Sequence, residues 1–106
     1  MTLDWSHDVK KYVPNADEGA VKGIIKHCGI ALHSKDASFV ACNDKSERDR
    51  VRDSFLKKKL GLTAADAELD KAVMEVCQTM KADRDKSRVA FYYLLAEKFG
   101  KLADFR

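Results

Sequence analysis

The segment between Ser87 and Phe99 constrains the fold most, because its apolar residues surround the whole helix axis. At about 100° per residue, only Glu97 and Lys98 interrupt the apolar surface between Val89 and Phe99. The apolar positions are Val89, Ala90, Phe91, Tyr92, Tyr93, Leu94, Leu95, Ala96 and Phe99. A helix that is apolar on every side must be covered on most sides. The sequence therefore predicts that this helix lies at the centre of the fold, or that a second copy of the chain covers half of it.

Residues typical of helix starts and ends divide the chain into five predicted helices. Pro14 ends the first helix, which covers about residues 4–13. Each later helix is expected to begin near a side-chain cap, and most end near a glycine. These landmarks are Asn15 or Asp17 and Gly29 for helix two, Asp44 and Gly61 for helix three, Thr63 or Asp66 for helix four, and Asp85 or Ser87 and Gly100 for helix five.

The apolar patterns within these helices predict an all-α fold. Helix four has the cleanest stripe, and helix three is expected to pack through Val51, Phe55, Leu56 and Leu60. Asp44 and Glu47 have the spacing of a capping box, in which each side chain would bond the backbone of the other. No segment alternates apolar and polar residues over a useful length. We expect one domain over residues 1–106, a compact bundle or orthogonal array of about five helices.

Two segments share a spacing that suggests an internal duplication. Ala16 and Asp17 are followed by Lys22 and Cys28, just as Ala65 and Asp66 are followed by Lys71 and Cys77. One hypothesis is that helices two and three are related to helices four and five, with an insertion within residues 30–43. The alternative is that any two capped amphipathic helices look alike, because physics dictates their caps and stripes. Phe39 and Val40 are expected to anchor residues 30–43, and one hypothesis is that they do so through one short helical turn.

Composition places the chain among cytoplasmic globular proteins. The first eight residues have neither the basic nor the apolar stretch of a secretory signal. The longest apolar run, Val89 to Ala96, is far shorter than the ~20 residues of a membrane span. Three cysteines are an odd number and lie far apart in sequence, which favours reduced thiols. The net charge of +3 is too small to identify a partner.

The residues that could carry chemistry match no known arrangement. His27, Cys28, His33 and Cys42 are suitable metal ligands, but their spacing is that of no zinc finger. We therefore expect a structural role for each cysteine, with no metal and no cofactor. No motif for a nucleophile or a phosphate-binding loop is present, so no catalytic residue is predicted. Asp83 and Asp85 are interpreted as residues at a helix start.

Helix three has a basic face that could contact phosphates. The candidate contact residues are Arg48, Arg52, Lys57, Lys58 and Lys59. Acidic residues can neutralise part of this face through three local pairs, Glu47 with Arg50, Asp49 with Arg52 and Asp53 with Lys57. The turn before helix four also suggests a helix-turn-helix motif. That interpretation is disfavoured, because Asp66, Glu68 and Asp70 would enter the negatively charged groove of DNA.

Two segments are similar to the most recognisable stretches of a family of short bacterial proteins. They run from Ser54 to Leu62 and from Phe91 to Lys101. The chain thus resembles the family named domain of unknown function 2853, with similarity from about Val9 to Leu102. The resemblance implies a compact, helical, cytosolic bacterial protein with no assigned activity. It supplies no catalytic residues, and Trp5 lies outside it.

Together these patterns favour a non-enzymatic protein-interaction module that self-associates, as a homodimer in the cytoplasm. The reason is that helix five has more apolar circumference than a small chain covers easily. The alternative function is weak electrostatic binding of nucleic acid through the basic face of helix three.

Overall fold

The computed structural model describes residues 5–29, 38–83 and 86–105. His33 and Asp85, both named above as candidates, lie outside these ranges. The elements run in chain order as follows: α1 (Trp5–Tyr12), α2 (Glu18–Cys28), β1 (Phe39–Val40), α3 (Lys45–Arg50), a π-helix (Val51–Lys59), α4 (Asp66–Thr79), β2 (Lys86–Ser87), α5 (Arg88–Lys98) and a C-terminal 3-10 turn (Leu102–Phe105). We call α3 and the π-helix together helix three. The predicted all-α class is confirmed, apart from the two short strands.

Helix α5 is the centre of the fold, as its apolar circumference predicted. Between Val89 and Ala96, every residue is buried except Leu94, which is half-buried. Helices α1, α2 and α4, both strands and the C-terminal turn pack against it. One chain therefore covers this helix by itself, and the expectation that a second copy is needed to cover half of it is wrong.

Side-chain caps begin three of the helices where the sequence placed them. Asp17 accepts a hydrogen bond from the Ala20 amide at 3.0 Å, and Asp44 accepts one from the Ser46 amide at 2.9 Å. Ser87 caps α5. Helix α4 differs, because its N-cap position is Ala65 and no side chain caps it. These hydrogen bonds satisfy amides that have no partner within the helix.

Helix three changes type along its length, which the sequence analysis did not predict. After Arg50 its hydrogen bonds join residues five apart, which defines a π-helix. The predicted glycine ending is present, since Gly61 has a φ of 67°. The Leu62 amide then donates to the Leu56 carbonyl at 3.0 Å, one residue further back than in an ordinary Schellman ending. At the end of α5, Lys101 donates to Ala96 with the ordinary spacing.

Phe39 and Val40 form a strand, so the expected short helical turn is wrong. They pair antiparallel with β2, Phe39 opposite Ser87 and Val40 opposite Lys86. The Arg88 amide extends this pairing by donating to the Ser38 carbonyl at 2.8 Å. An extended conformation gives the backbone of both segments hydrogen-bond partners immediately before α5 begins. The rest of the predicted insertion, residues 30–37, lies outside the described residues.

The C-terminal turn packs directly onto α2 at Gly23. A Cβ atom at Gly23 would lie 2.7 Å from the carbonyl carbon of Phe105 and still closer to its oxygen. The Phe105 side chain is buried, and its ring lies 5.9 Å from that of Phe55. The final turn is therefore part of the core. The proposed duplication of helix pairs stays a hypothesis, as does the single domain over residues 1–106.

We predict that Gly23→Ala destabilises the protein. Alanine favours a helix interior by about 1 kcal/mol over glycine, but overpacking a tight contact costs about 1–3 kcal/mol. Because the added methyl group would meet backbone atoms of Phe105, the overpacking cost should dominate. Urea unfolding measures the difference, with Lys26→Ala as a control at an exposed position of the same helix. A more stable Gly23→Ala variant would contradict the described position of the C-terminal turn.

Candidate functional site

The basic face of helix three lies against the acidic start of α4. Arg52 contacts Asp49 and Asp53 of its own helix and also Asp70 of α4, at 3.0 Å. Lys57 contacts Asp53 at 3.6 Å and Asp66 of α4. Two ion pairs, Arg52 with Asp70 and Lys57 with Asp66, therefore join helix three to α4. Two of the three carboxylates that argued against a DNA-binding helix, Asp66 and Asp70, are partners of the basic face itself.

The three local ion pairs predicted within helix three are confirmed. Arg50 contacts Glu47 at 3.1 Å, Arg52 contacts Asp49 at 3.3 Å, and Lys57 contacts Asp53. Hydrogen bonding to Arg52 lowers the pKa of Asp53, and hydrogen bonding to Lys45 lowers that of Asp49. Both carboxylates are therefore charged at neutral pH and oppose the cations next to them.

The candidate contact residues consequently do not form one uniform cationic surface. Arg52 and Lys57 are held by carboxylates, and Arg48 donates to the Cys42 carbonyl at 2.6 Å. Lys58 is exposed and has no ion-pair partner among the described residues. Lys59 lies over the ring of Phe105, with its Nζ atom 5.2 Å from the ring centroid. Among the described residues, Lys58, Lys59 and Arg48 of this set have no carboxylate partner, and Lys58 and Lys59 lie together at the C-terminal end of helix three.

A buried charged network joins α3 to α5, and the sequence analysis missed it. Arg88 forms an ion pair with Glu47 and donates to the Tyr92 hydroxyl at 2.8 Å and to the Phe39 carbonyl at 3.3 Å. Glu47 therefore points into the core, so its expected capping-box bond to Asp44 is wrong. Burial raises the pKa of Tyr92, although Arg88 opposes this shift. Arg88 thus ties three elements together at the start of the central helix.

Two of the three cysteines form a disulfide, which corrects the expectation of three reduced thiols. Cys42 and Cys77 are bonded, with their Cα atoms 5.9 Å apart. They are 35 residues apart in sequence, but the turn after β1 brings Cys42 to the buried face of α4. Cys28 is buried and unbonded, and burial raises the pKa of its thiol to about 11. Its thiol stays protonated at neutral pH, which makes it a poor nucleophile.

The residues considered as metal ligands do not come together in the described part of the chain. Cys42 is bonded to Cys77, and His27 packs its ring against those of Phe55, Tyr92 and Phe105. Among the described residues, no three His, Cys, Asp or Glu side chains are placed to hold a metal ion. Burial, with a contribution from Lys59, lowers the pKa of His27. His27 is therefore mainly neutral at pH 7.

Asp83 binds α1, so its interpretation as a residue at a helix start is wrong. It accepts hydrogen bonds from Tyr12 and Lys11. Burial would raise the pKa of Asp83, but these two hydrogen bonds outweigh burial and lower it. The same contact and burial raise the pKa of Tyr12. Asp83 thereby fastens the first helix to the segment before α5.

A shallow groove separates α4 from α5 and has a volume of about 260 Å³. Its lining, which we call the α4–α5 face, consists of Glu75, Val76, Thr79, Leu94, Glu97 and Lys98. Val76 and Leu94 form an apolar floor, and the charged side chains form the rim. Lys98 pairs with Glu75 across the groove, whereas the Glu97 side chain has no ion-pair partner in the described part of the chain.

These features define a small helical protein whose Arg88, Arg52 and Cys77 side chains connect elements of the fold. A family profile, described as "Protein of unknown function (DUF2853)", matches residues 4–103. The chain belongs to this family, as the resemblance of its two segments predicted. The match includes Trp5, so the expectation that this residue lies outside is wrong. No curated protein matches the chain. Among the described residues, no helix has the length and apolar content needed to cross a membrane.

We predict that Arg88→Leu destabilises the protein by about 3 kcal/mol or more, because it leaves the Glu47 carboxylate buried without its main partner. Urea unfolding gives the free energy. The double variant Arg88→Leu with Glu47→Leu should recover part of the loss, since neither charge is then buried. Equal losses in the single and double variants would show that the ion pair itself does not matter. Arg50→Leu, which removes the exposed partner of Glu47, is the control.

Proposed function

We propose that this protein is a non-enzymatic interaction module that self-associates through the α4–α5 face. The observation that supports this proposal most directly is the position of Leu94. It is the residue of α5 between Val89 and Ala96 that the rest of the chain leaves half-exposed, and it lies in the groove. The sequence favours a dimer because α5 has more apolar circumference than a small chain covers easily. Between Val89 and Ala96, Leu94 is the residue to which that argument still applies.

The charges of the α4–α5 face suit a two-fold interface. Such an interface places the same patch opposite itself, so the patch must be complementary to itself. Glu97 and Lys98 are adjacent and exposed, so Glu97 of each copy can approach Lys98 of the other, which would then contact both this Glu97 and its own Glu75. The apolar floor formed by Val76 and Leu94 would meet its copy between these pairs. A face this small favours a weak, concentration-dependent dimer over a permanent one.

We predict that Leu94→Glu weakens self-association on the order of tenfold or more, a change of about 1.4 kcal/mol. The cause is that the interface would bury a carboxylate with no partner. Sedimentation or light scattering over a concentration series measures the dissociation constant. Met74→Glu is the matched control, because Met74 lies on α4 outside the groove and is 49% exposed.

Glu97→Lys is a second variant that keeps this test informative if Leu94→Glu does not fold. The new lysine of each copy would face Lys98 of the other copy, and like charges repel. Because Glu97 has no ion pair among the described residues, the change should leave the fold of each copy intact. We expect weaker association than in the wild type. A wild-type protein that stays monomeric at high concentration, or a Met74→Glu variant weakened as much as Leu94→Glu, would contradict the proposal.

The alternative function, binding of nucleic acid by the basic face of helix three, has less support. Arg52 and Lys57 would have to exchange carboxylate partners for phosphates. Their ion pairs also join helix three to α4, so this exchange would weaken the fold.

The proposed cytoplasmic location rests on the sequence patterns and the family resemblance, and the proposed bacterial origin on the resemblance alone. The disulfide weighs against the cytoplasm. Cytosolic proteins are generally kept reduced, whereas disulfides persist in oxidising compartments such as the bacterial periplasm. If the protein is cytoplasmic, Cys42 and Cys77 should be thiols in the living cell.

We predict that all three cysteines are alkylated if the protein is cytoplasmic. In this experiment, intact cells are denatured directly in the alkylating reagent, so that thiols are trapped before they can oxidise. Mass measurement of the purified protein counts the alkyl groups. Modification of Cys28 alone would mean that the disulfide exists in the cell and would exclude a reducing location. Reduction before alkylation provides the control for complete labelling.

A further inference from the structure

We propose that a second surface, on α2 and the C-terminal end of helix three, binds the phosphate backbone of nucleic acid without sequence preference. This cationic surface consists of Lys22, Lys26, Lys58 and Lys59, with His27 between them. It shares only Lys58 and Lys59 with the basic face predicted from the sequence. It is separate from the α4–α5 face and does not depend on self-association.

The first observation is which cations lack a carboxylate partner. All four lysines are exposed, and none forms an ion pair with another described residue. By contrast, Arg52 and Lys57 are occupied by Asp70 and Asp66. Cations without carboxylate partners can contact phosphates without first breaking an ion pair. The exposed lysines Lys71 and Lys81 also have no ion pair among the described residues, so the grouping of the four lysines is what distinguishes this surface.

The second observation is that Phe105 brings the two elements together. Gly23 of α2 touches Phe105, and the His27 ring lies 6.2 Å from the Phe105 ring. Lys59 lies over the same ring from helix three. Lys22 and Lys26 directly precede Gly23 and His27 and are one helical turn apart. Two lysines thus lie on each side of the docked C-terminal turn.

The chemistry of this surface favours a phosphate backbone over base recognition. Lysine contacts phosphates as a point charge and reads no sequence by itself. A cation–π contact holds Lys59 in place, which reduces the entropy that it loses on binding. The C-terminal turn also carries one exposed carboxylate, that of Asp104. One negative charge against four lysines leaves the surface positive.

A membrane surface is a less suitable partner for these lysines. Peripheral binding that is more than electrostatic requires apolar side chains that enter the lipid. Phe105 is buried, and Met74, the large apolar residue that is exposed in the described part of the chain, lies on α4. The surface therefore has positive charge but no apolar side chain that could enter a lipid layer. Such a surface suits the phosphate backbone of nucleic acid better than it suits a membrane.

The expected binding is weak and strongly dependent on salt. Four phosphate contacts give a slope of about −3.6 in a plot of log affinity against log salt concentration. Raising the salt from about 50 mM to about 200 mM should therefore weaken binding roughly a hundredfold. Duplexes of different sequence should bind with similar affinity, because no base contact is involved.

The test measures fluorescence anisotropy of a short labelled DNA duplex against the full chain, at protein concentrations where sedimentation shows a monomer, so that self-association does not contribute. We expect Lys26→Glu with Lys59→Glu to weaken binding at least tenfold and to reduce the salt slope by about 2. Lys81→Glu is the control, since it changes the net charge at an exposed lysine beyond the end of α4 and should have a small effect.

Three outcomes would overturn the proposal. The first is a double variant that binds the duplex as tightly as the parent protein. The second is a Lys81→Glu control that loses as much affinity as the double variant. The third is binding to vesicles containing anionic phosphatidylglycerol with no binding to the duplex, which would assign the surface to a membrane.

Discussion

The fold depends on covering α5 from all directions. Because its apolar residues occupy the whole circumference, no single neighbour can bury them, and several elements each cover one side. The C-terminal turn belongs to this cover. Phe105 lies against Phe55, whose ring is stacked on Tyr92 of α5 with centroids 3.9 Å apart. Gly23 is required in α2 for the same reason, since only a residue without a side chain lets the turn approach closely enough. The last residues of the chain are therefore as much a part of the core as the helices.

Hydrogen bonds determine how these apolar surfaces are aligned. Apolar burial has no direction of its own, whereas a hydrogen bond requires defined partners and angles. At its first turn, α5 is tied to α3 and β1 by Arg88. Further along, the Tyr93 hydroxyl accepts a hydrogen bond from the Asp17 amide at 2.8 Å, which fixes the start of α2. Among the described residues, every buried side-chain nitrogen and oxygen has a hydrogen-bond partner. The polar groups around α5 thus specify one arrangement of its neighbours.

What the sequence predicted well is local in the chain. Caps, glycine endings and the ion pairs within helix three depend on residues a few positions apart, so their spacing is sufficient to identify them. The disulfide and the Arg88 network depend on the pairing of β1 with β2, which short segments with no alternating pattern do not reveal. The π-helix did leave a signal. Val51 and Phe55 are four residues apart, as in an α-helix, but Phe55 and Leu60 are five apart, which is the spacing of a π-helical turn. An α-helical stripe would have continued at positions 58 and 59, where the chain has exposed lysines.

The contact between helix three and α4 uses some of the charged side chains in ion pairs. The charged side chains without such partners are distributed unevenly over the rest of the surface. Where helix three meets α4, the carboxylates of Asp66 and Asp70 pair with Lys57 and Arg52, so these two cations already have partners within the chain. On the α4–α5 face, acidic and basic side chains lie next to one another, which suits contact with a copy of itself. On α2 and the end of helix three, the lysines have no such neighbours. Although the net charge is only +3, the charges are therefore distributed unevenly. The cationic surface can repel a second copy of the chain, whereas the α4–α5 face can attract one. Because the two surfaces share no residue, changes in one should leave binding at the other intact.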